Sequence, residues 1–372
     1  MQKRPCGKTG LDFTVIGFGG MRIHGPDTKH WAGIVRAAAE AGFNYFETSH
    51  RYCGSTSETK MGEGLKGFPR ERIYISTKSS ADDFLTADAV RKTIDESLGK
   101  LQVEYLDFYQ FWSLPLKDWY EIATKKGGTL EGIRKAMDEG LIKHLGFTCH
   151  DTAENMIALL GTGEFECITL QYNLLNRANE PAIEEAGRLG VGVVVMGPLH
   201  GGILGTPSKV IDGLFGDRST DAAAEAAFRF VLSNPNVTCA ISGMTSLEDV
   251  RRNNLIAERV RPLAAREMAA VDAELAKYQA AGDSLCTGCR YCMPCPQGVG
   301  IFAVLKLANA LRIMGLVQGS RAEYAKFEKE WPYDSFKDAL HCTECGECLA
   351  KCPQRIDIPT ELKAAHKILK GD

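Results

Sequence analysis

Residues 73–111 read IYISTKSSADDFLTADAVRKTIDESLGKLQVEYLDFYQF and contain one complete repeat of the pattern that decides the fold. The segment begins and ends with short runs of β-branched and aromatic residues, which predict buried strands. Between these runs, residues 89–101 have apolar side chains at helical spacing. A strand, a helix and a second strand in this order predict a βαβ unit with parallel strands.

The same pattern continues on both sides of this unit. The apolar runs are 15–18, 43–46, 73–76, 106–111, 141–147, 168–172, 191–196 and 237–241, and the helical patterns between them include 31–41, 89–101, 130–139, 180–189 and 222–233. Eight strands alternating with helices over roughly 250 residues predict an α/β fold, the closed (β/α)8 TIM barrel. An open doubly wound sheet is the alternative, but its usual Gly-x-Gly-x-x-Gly fingerprint is absent at residues 17–20.

Composition and charge restrict the possible partners. The chain has 372 residues, 44 % of them hydrophobic and 24 % charged, which is typical of a folded globular protein. The formal net charge is −3 and both signs are mixed along the chain, so we expect neither nucleic acid nor a membrane as a partner. No secretory signal or run of about 18 apolar residues is recognisable, so we expect a cytoplasmic protein.

A second domain follows the barrel pattern. A predicted helix around 267–279 leads into Ala280-Ala281-Gly282-Asp283, whose small residues are typical of a boundary. We therefore predict a barrel domain over residues 1–283 and a small α-helical, ferredoxin-like domain over 284–372. In the second domain, two cysteine runs enclose an amphipathic stretch that begins near residue 301 and a charged stretch over 321–330.

Eight of the thirteen cysteines fall after residue 285, in two runs that each end in Cys-Pro. The first run is Cys286, Cys289, Cys292 and Cys295, and the second is Cys342, Cys345, Cys348 and Cys352. In a cytosol that keeps thiols reduced, such clustering indicates metal ligation. The second run has the spacing of bacterial ferredoxins, so the pattern favours two 4Fe-4S clusters over the alternative, structural zinc in sites of four cysteines.

In two-cluster ferredoxins, the fourth cysteine of each run ligates the other cluster. The same exchange here predicts one cluster on Cys286, Cys289, Cys292 and Cys352, and another on Cys342, Cys345, Cys348 and Cys295. The first run has one residue fewer before its last cysteine than the second run has. The helical spacer between the runs favours the α-helical two-cluster type of domain.

Short motifs follow the predicted strands in a regular order. They are Gly17-Phe18-Gly19-Gly20-Met21-Arg22, Glu47-Thr48-Ser49-His50-Arg51-Tyr52, Lys78, Trp112, Gly146-Phe147-Thr148-Cys149-His150, Gln171-Tyr172-Asn173, Met196-Gly197-Pro198-Leu199-His200-Gly201-Gly202 and Ser242-Gly243-Met244-Thr245. In order and spacing, this series resembles the aldo/keto reductase family, and specifically its branch with a C-terminal two-cluster ferredoxin-type domain. The resemblance covers essentially the whole chain.

The resemblance implies a catalytic group at Glu47, Tyr52, Lys78 and Trp112, where the family has Asp, Tyr, Lys and His. The Tyr52 phenol would donate a proton to a carbonyl oxygen that receives hydride, and the Lys78 ammonium would lower the pKa of that phenol. Glu47 can still hold Lys78, but the Trp112 indole can donate only one hydrogen bond and cannot take up a proton. The alternative is that Tyr52 and Lys78 have no catalytic task and that Trp112 packs at the rim.

The resemblance also implies a bound nicotinamide nucleotide. Thr148 and Gln171 would hold its carboxamide, Met196 would pack on the nicotinamide ring, and Asn253 would reach the adenine. The loops after the last two strands would bind the phosphates. The full set of expected nucleotide-binding residues is Gly20, Met21, Thr148, Gln171, Met196, Pro198, Leu199, Gly201, Gly243, Met244, Thr245, Asp249 and Asn253.

The sequence leaves the choice between NADH and NADPH open. Asp249 lies where an acidic side chain would repel a 2′-phosphate and favour the free hydroxyl of NADH. Arg251 and Arg252 are close enough in sequence to bind that phosphate instead.

Three functions agree with these patterns. The leading hypothesis is an oxidoreductase that uses NADH or NADPH to reduce a small-molecule carbonyl or a similar group, with the clusters exchanging electrons with a partner of ferredoxin or flavodoxin type. The second is a one-electron reductase that depends on the clusters and does not use hydride. The third is an electron-transfer or redox-sensing module without enzymatic activity.

Overall fold

The computed structural model describes residues 1–80, 85–174, 176–205, 220–280, 286, 290–315, 317–329, 333, 335–352 and 354–371. Within these ranges the strands are β1 Lys3–Pro5, β2 Asp12–Thr14, β3 Ile16–Gly19, β4 Tyr45–Glu47, β5 Tyr74–Ser79, β6 Leu106–Phe111, β7 Ile142–Cys149, β8 Cys167–Gln171, β9 Gly192–Met196 and β10 Val237–Ser242. Strands β3 to β10 are parallel and close on themselves, with β10 beside β3. The predicted eight-stranded barrel is therefore confirmed.

Helices follow the barrel strands and continue beyond them. In the described ranges they are α1 Thr28–Glu40, α2 Tyr52–Ser55, α3 Ser57–Leu65, α4 Ala87–Leu101, α5 Leu116–Asp118, α6 Thr129–Asp138, α7 Ala153–Leu160, α8 Glu180–Leu189, α9 Thr220–Ser233, α10 Leu247–Arg259, α11 Ala265–Ala280, α12 Ile301–Met314, α13 Val317–Tyr324 and α14 Ile358–Lys370. Short 3₁₀ turns lie at Gly20–Arg22, Arg70–Arg72, His200–Gly205 and Ala339–His341, and a π turn lies at Trp119–Ala123. No described helix is both long and apolar enough to cross a bilayer.

Helix α4 illustrates why the sequence folds in this way. It begins two residues before the predicted start, because the Thr86 side chain accepts a hydrogen bond from the N–H of Ala89 and caps the helix. Val90, Ile94 and Leu101 recur at helical spacing and are almost completely buried. The helix ends at Gln102, whose backbone is left-handed.

A short hairpin lies at the amino-terminal end of the barrel. Strands β1 and β2 pair antiparallel, with Lys3 opposite Thr14. Phe13 of this hairpin stacks on Tyr45, the first residue of β4, at a ring distance of 4.4 Å. The buried thiols of Cys6, Cys167 and Cys239 belong to the same apolar cluster. This end is packed with side chains. We therefore look for the active site at the carboxyl ends of the strands, where barrels of this type have it.

The chain divides into two compact units. The first is Met1–Tyr172, Arg177–Pro198 and Val231–Pro262, which contains the barrel, and the second is Asn173–Asn176, Leu199–Phe230 and Leu263–Asp372. The predicted boundary after Asp283 lies outside the described residues. In the second unit, α12 and α14 pack around a core that includes Val304, Leu305 and Leu362. The amphipathic stretch predicted near residue 301 is thus helix α12.

Candidate active site and iron–sulfur site

Glu47 and Lys78 form a buried ion pair at the carboxyl ends of β4 and β5. Both residues are 2 % exposed, and the Lys78 ammonium contacts Oε1 of Glu47 directly. The same ammonium donates a hydrogen bond of 2.8 Å to the carbonyl oxygen of Thr48. Burial lowers the pKa of Lys78 well below its usual range. The adjacent carboxylate acts in the opposite direction, because a negative charge favours the protonated amine.

Tyr52 covers this ion pair. Its ring centroid lies 4.5 Å from Nζ of Lys78, so the ammonium faces the ring in a cation–π contact. The phenol oxygen lies 3.5 Å from Oε1 of Glu47, a long contact in which the phenol is the donor. The phenol, the ammonium and the carboxylate named from the sequence are therefore side by side.

Trp112 also packs against Tyr52. The two rings meet edge to face at 5.7 Å and 85°. His50 makes a similar contact with Trp112 at 6.3 Å, and its Nδ1 lies 3.0 Å from the carbonyl oxygen of Lys78. Because a carbonyl oxygen only accepts, Nδ1 carries the proton of this hydrogen bond. Sequence reasoning gave His50 no role, although it lies two residues before Tyr52 in the quoted motif.

Gly20 and Met21 lie beside the same group of residues. The hydroxyl of Ser57 donates a hydrogen bond of 2.8 Å to the carbonyl oxygen of Gly20, and it also contacts the hydroxyl of Thr48. A Cβ at Gly20 would lie 2.7 Å from Oγ of Ser57, so only glycine permits this close approach. The Sγ of Cys53 lies 3.5 Å from the carbonyl oxygen of Met21.

The three residues expected around the nicotinamide lie at the ends of adjacent strands. Gln171 and Met196 are paired across β8 and β9, and Thr148 is the penultimate residue of β7. The Thr148 hydroxyl accepts a hydrogen bond of 2.7 Å from the N–H of Ser113. Gly197 has a φ of +65°, which turns the chain away immediately after Met196.

The loop after β10 is closed by its own side chains. The Asp249 carboxylate accepts hydrogen bonds from the backbone N–H and the hydroxyl of Thr245, at 2.9 and 3.0 Å. The Asn253 amide donates 2.9 Å to the Ser242 hydroxyl. The backbone of Gly243 lies close to Arg22, and a Cβ added at Gly243 would be 2.5 Å from Cγ of Arg22. The Asp249 carboxylate, in the first turn of α10, is therefore occupied in holding the loop residue Thr245.

The remaining predicted residues of the nucleotide site divide between the two units. Met244 and Pro198 are both buried, and both belong to the first unit. Leu199 and Gly201 belong to the second unit. The carbonyl oxygen of Leu199 accepts hydrogen bonds from the N–H groups of Gly202 and Leu204, which shape this loop as a tight turn.

Cys149 and His150 follow Thr148 in sequence, and the protein around each side chain favours its neutral form. Burial raises the pKa of the Cys149 thiol to about 12, and its Sγ donates to the carbonyl oxygen of Leu114. His150 keeps some exposed surface, but the protein around its ring lowers the pKa of its imidazole to about 4. Near neutral pH the thiol is therefore protonated and the imidazole is neutral.

The cysteines of the second unit line two cavities. The walls of one cavity include Cys286, Cys292 and Cys352. The walls of the other include Cys295, Cys342, Cys345 and Cys348, together with Cys292. We call them the Cys286 cavity and the Cys342 cavity. Cys295 of the first run thus lines the same cavity as three cysteines of the second run, and Cys352 of the second run lines the other. The assignment of each cysteine to a cluster stays a prediction, and Cys289 lies outside the described residues.

The distances between these sulfur atoms can be compared with those that a tetrahedral zinc site requires. Four thiolates about 2.3 Å from a tetrahedral zinc ion would be about 3.8 Å from one another. Among the described residues, only Glu328, Asp338 and His341, a surface trio, bring three ligand atoms within 4.8 Å of one another. The described thiols therefore form no preformed zinc site, and four thiolates for each cluster are what 4Fe-4S ligation requires.

Comparison with known proteins gives matches to both parts of the chain. A model described as the aldo/keto reductase family matches residues 15–276, and one described as a 4Fe-4S dicluster domain matches residues 285–357. L-galactose dehydrogenase of Arabidopsis thaliana is 28 % identical over 281 residues, covering 68 % of this chain and 87 % of the relative. A holo-form aldo-keto reductase structure from Bacillus halodurans is 25 % identical with a TM-score of 0.63, covering 73 % of this chain and 96 % of its own.

Proposed function

The chain belongs to the aldo/keto reductase family and carries a ferredoxin-type iron–sulfur domain, and we propose that this oxidoreductase uses NADH or NADPH to reduce a carbonyl or similar group of a small molecule. The observation that carries the proposal is the contact of the Tyr52 ring with the buried Lys78–Glu47 pair. Strand ends that carry Thr148 and Gln171 provide hydrogen-bonding groups for a carboxamide.

Tyr52 is the proton donor in this proposal. A nicotinamide nucleotide held at this site would supply a hydride for the carbonyl carbon. The Tyr52 phenol gives its proton to the carbonyl oxygen, so that hydride and proton together convert the carbonyl to an alcohol. The Lys78 ammonium, 4.5 Å from the ring centroid, stabilises the phenolate that remains. Glu47 keeps Lys78 charged in a place where burial alone would remove its proton.

Trp112 and His50 shape the substrate side of the site. The Trp112 indole can donate one hydrogen bond to a substrate oxygen, but it cannot take up a proton. Its ring packs on Tyr52 and His50 and presents a flat apolar wall. We therefore expect the site to favour flat or apolar carbonyl compounds.

The two cavities of the second unit would each hold one 4Fe-4S cluster. Such clusters exchange single electrons. Cys345 is exposed, so the Cys342 cavity is accessible to a protein electron carrier of ferredoxin or flavodoxin type. Because this chemistry needs reduced thiols, we place the protein in the cytoplasm.

A second function, reduction by single electrons without hydride, is favoured by one observation. Trp112 stands where the family has a histidine, so the barrel has lost a residue that could exchange a proton with the substrate. In that case the clusters, and not the nicotinamide, would reduce the substrate.

Two variants separate the two functions. Tyr52→Phe removes the proton donor, and Cys345→Ser removes a cluster ligand. Nucleotide oxidation would be measured anaerobically with a panel of carbonyl compounds, together with the iron content of each variant. We expect Tyr52→Phe to lower kcat by about 10² to 10⁴ with unchanged iron content. Tyr120→Phe, at an exposed tyrosine elsewhere on the first unit, is the matched control and should keep full activity. Wild-type turnover in Tyr52→Phe with loss in Cys345→Ser would refute the hydride mechanism and favour the second function.

A further inference from the structure

His200 makes a hydrogen bond to the first cysteine of the iron–sulfur domain. Its Nε2 lies 3.0 Å from the carbonyl oxygen of Cys286, and both residues belong to the second unit. Since a carbonyl oxygen only accepts, Nε2 carries the proton and donates it. The amide of Asn309 on α12 donates to the same oxygen at 3.3 Å. The peptide of Cys286 is thus held from two sides.

The surroundings of His200 are unusual for a residue that only fills space. It is 2 % exposed, and its Nδ1 has no hydrogen-bond partner among the described residues. Its φ of +46° lies in the left-handed region, which is unfavourable for a residue with a Cβ. A strained backbone and an unsatisfied nitrogen are both retained at a residue whose other nitrogen holds Cys286.

A second hydrogen bond, also within the second unit, joins the segment after β8 to the wall of the Cys286 cavity. Asn176, in the segment after β8, donates 3.0 Å to Oε1 of Gln354, which lines this cavity. His200 lies in the segment after β9. The residues lining the Cys342 cavity all fall between Cys292 and Leu362, so neither loop segment contributes to it. The segments after β8 and β9 therefore form hydrogen bonds to residues that line the Cys286 cavity, namely Gln354 and Cys286.

We propose that His200 is a positioning residue for the iron–sulfur site of the Cys286 cavity: by donating to the Cys286 carbonyl, it fixes this ligand and sets the redox potential of that site alone. The proposal rests on the iron–sulfur part of the proposed function. Groups that orient a metal ligand change metal affinity by 10- to 100-fold when they are removed. Hydrogen bonds and solvent access also set cluster potentials. Loss of a donor near a group that gains an electron makes its reduction less favourable, so the potential should fall.

The test compares glutamine and methionine at this position in the anaerobically reconstituted full-length holoprotein. The two side chains have similar length, but only glutamine can donate a hydrogen bond. Redox titration followed by electron paramagnetic resonance would give the potential of each cluster. We expect one potential in His200→Met to fall by about 59 mV, which corresponds to a tenfold change in a one-electron equilibrium. His200→Gln should stay close to wild type, and the other cluster should be unchanged in both variants.

A matched control and a second variant complete the experiment. His366→Leu removes a histidine of the same unit that bonds to the Tyr324 hydroxyl at 2.7 Å and lines neither cavity, so both potentials should stay at wild-type values. If His200→Met does not fold, Asn309→Leu removes the other donor to Cys286 and should lower the same potential. Equal potentials in the donor and non-donor variants, or an equal shift of both clusters, would overturn the proposal. Wild-type potentials in Asn309→Leu would also overturn it where that variant is the one measured.

Discussion

Glu47 and Lys78 form a buried ion pair in which each charge needs the other as its partner. Each is 2 % exposed, so neither charge can be solvated by water if its partner is removed. The carboxylate is therefore a structural requirement of the site as well as part of its proton chemistry. The extra methylene of glutamate, compared with the aspartate typical of the family, is accommodated with direct contact to Nζ.

Removing only the carboxylate should destabilise the protein. In Glu47→Gln the buried Lys78 charge loses its partner, and we expect the free energy of unfolding to fall by about 3 to 5 kcal/mol. The double variant Glu47→Gln/Lys78→Met should regain most of this loss, because no buried charge remains. Denaturant unfolding of the three proteins measures the effect.

Glu139→Gln is the matched control for this prediction. It breaks the surface pair with Arg91, where Glu139 is 50 % exposed, and should cost less than about 1 kcal/mol. Equal stability of Glu47→Gln and Glu139→Gln would show that the Glu47–Lys78 pair is not maintained in solution.

At the residue level, the sequence indicated which residues form the candidate site, but it did not indicate all the contacts among their side chains. The family resemblance of the motifs after the strands implied Glu47, Tyr52, Lys78 and Trp112, and these four side chains lie together. The contact of His50 with Trp112 could not be predicted, since it depends on side-chain rotamers in a loop. The hydrogen bonds between the Asp249 carboxylate and Thr245 could not be predicted for the same reason.

At the level of elements, periodicity predicted the barrel strands because each buried strand is a run of apolar residues long enough to recognise. The predicted run at 106–111 coincides with β6, and the others differ from the observed strands by a few residues at their ends. The β1–β2 hairpin was missed because each strand has three residues, too few to show an alternating pattern.

Two glycines on neighbouring helices test the packing of the barrel's outer layer. A Cβ at Gly62 of α3 would lie 2.3 Å from the carbonyl oxygen of Lys100 on α4, whereas a Cβ at Gly99 of α4 would meet nothing within 4 Å. We expect Gly62→Ala to destabilise the protein by about 1 to 3 kcal/mol through overpacking. Gly99→Ala should stabilise it by about 0.5 to 1 kcal/mol, because alanine favours the helix. Thermal unfolding followed by circular dichroism measures both, and a Gly62→Ala protein as stable as wild type would contradict this helix contact.

At the level of the whole molecule, the two units hold complementary redox chemistry. The first provides a phenol, an ammonium and a carboxylate in a barrel of the aldo/keto reductase family. The second gathers thiols from two runs that are separated by more than forty residues in sequence. Ferredoxin spacing predicts that Cys295 and Cys352 exchange clusters, and these two residues line different cavities. The support of Cys286 by His200 could not, because it depends on which loops join the second unit.

The iron content tests the composition of the second unit. Two 4Fe-4S clusters require about eight iron and eight sulfide ions per chain after anaerobic reconstitution. We expect Cys295→Ser and Cys352→Ser each to lose about half of this iron, since the two residues belong to different cavities. Cys53→Ser, at a thiol of the first unit, should lose none. Zinc in place of iron in the reconstituted wild type would exclude electron transfer by this unit.

The central claim is that the barrel binds a nicotinamide nucleotide beside Tyr52, and equilibrium titration of the anaerobic holoprotein with NADH and with NADPH tests it most directly. We predict saturable binding of at least one nucleotide with a Kd below about 1 mM, the upper range of ordinary enzyme–substrate affinities. Binding of neither nucleotide at millimolar concentration, in protein that retains its iron and its helical circular dichroism, would contradict the account.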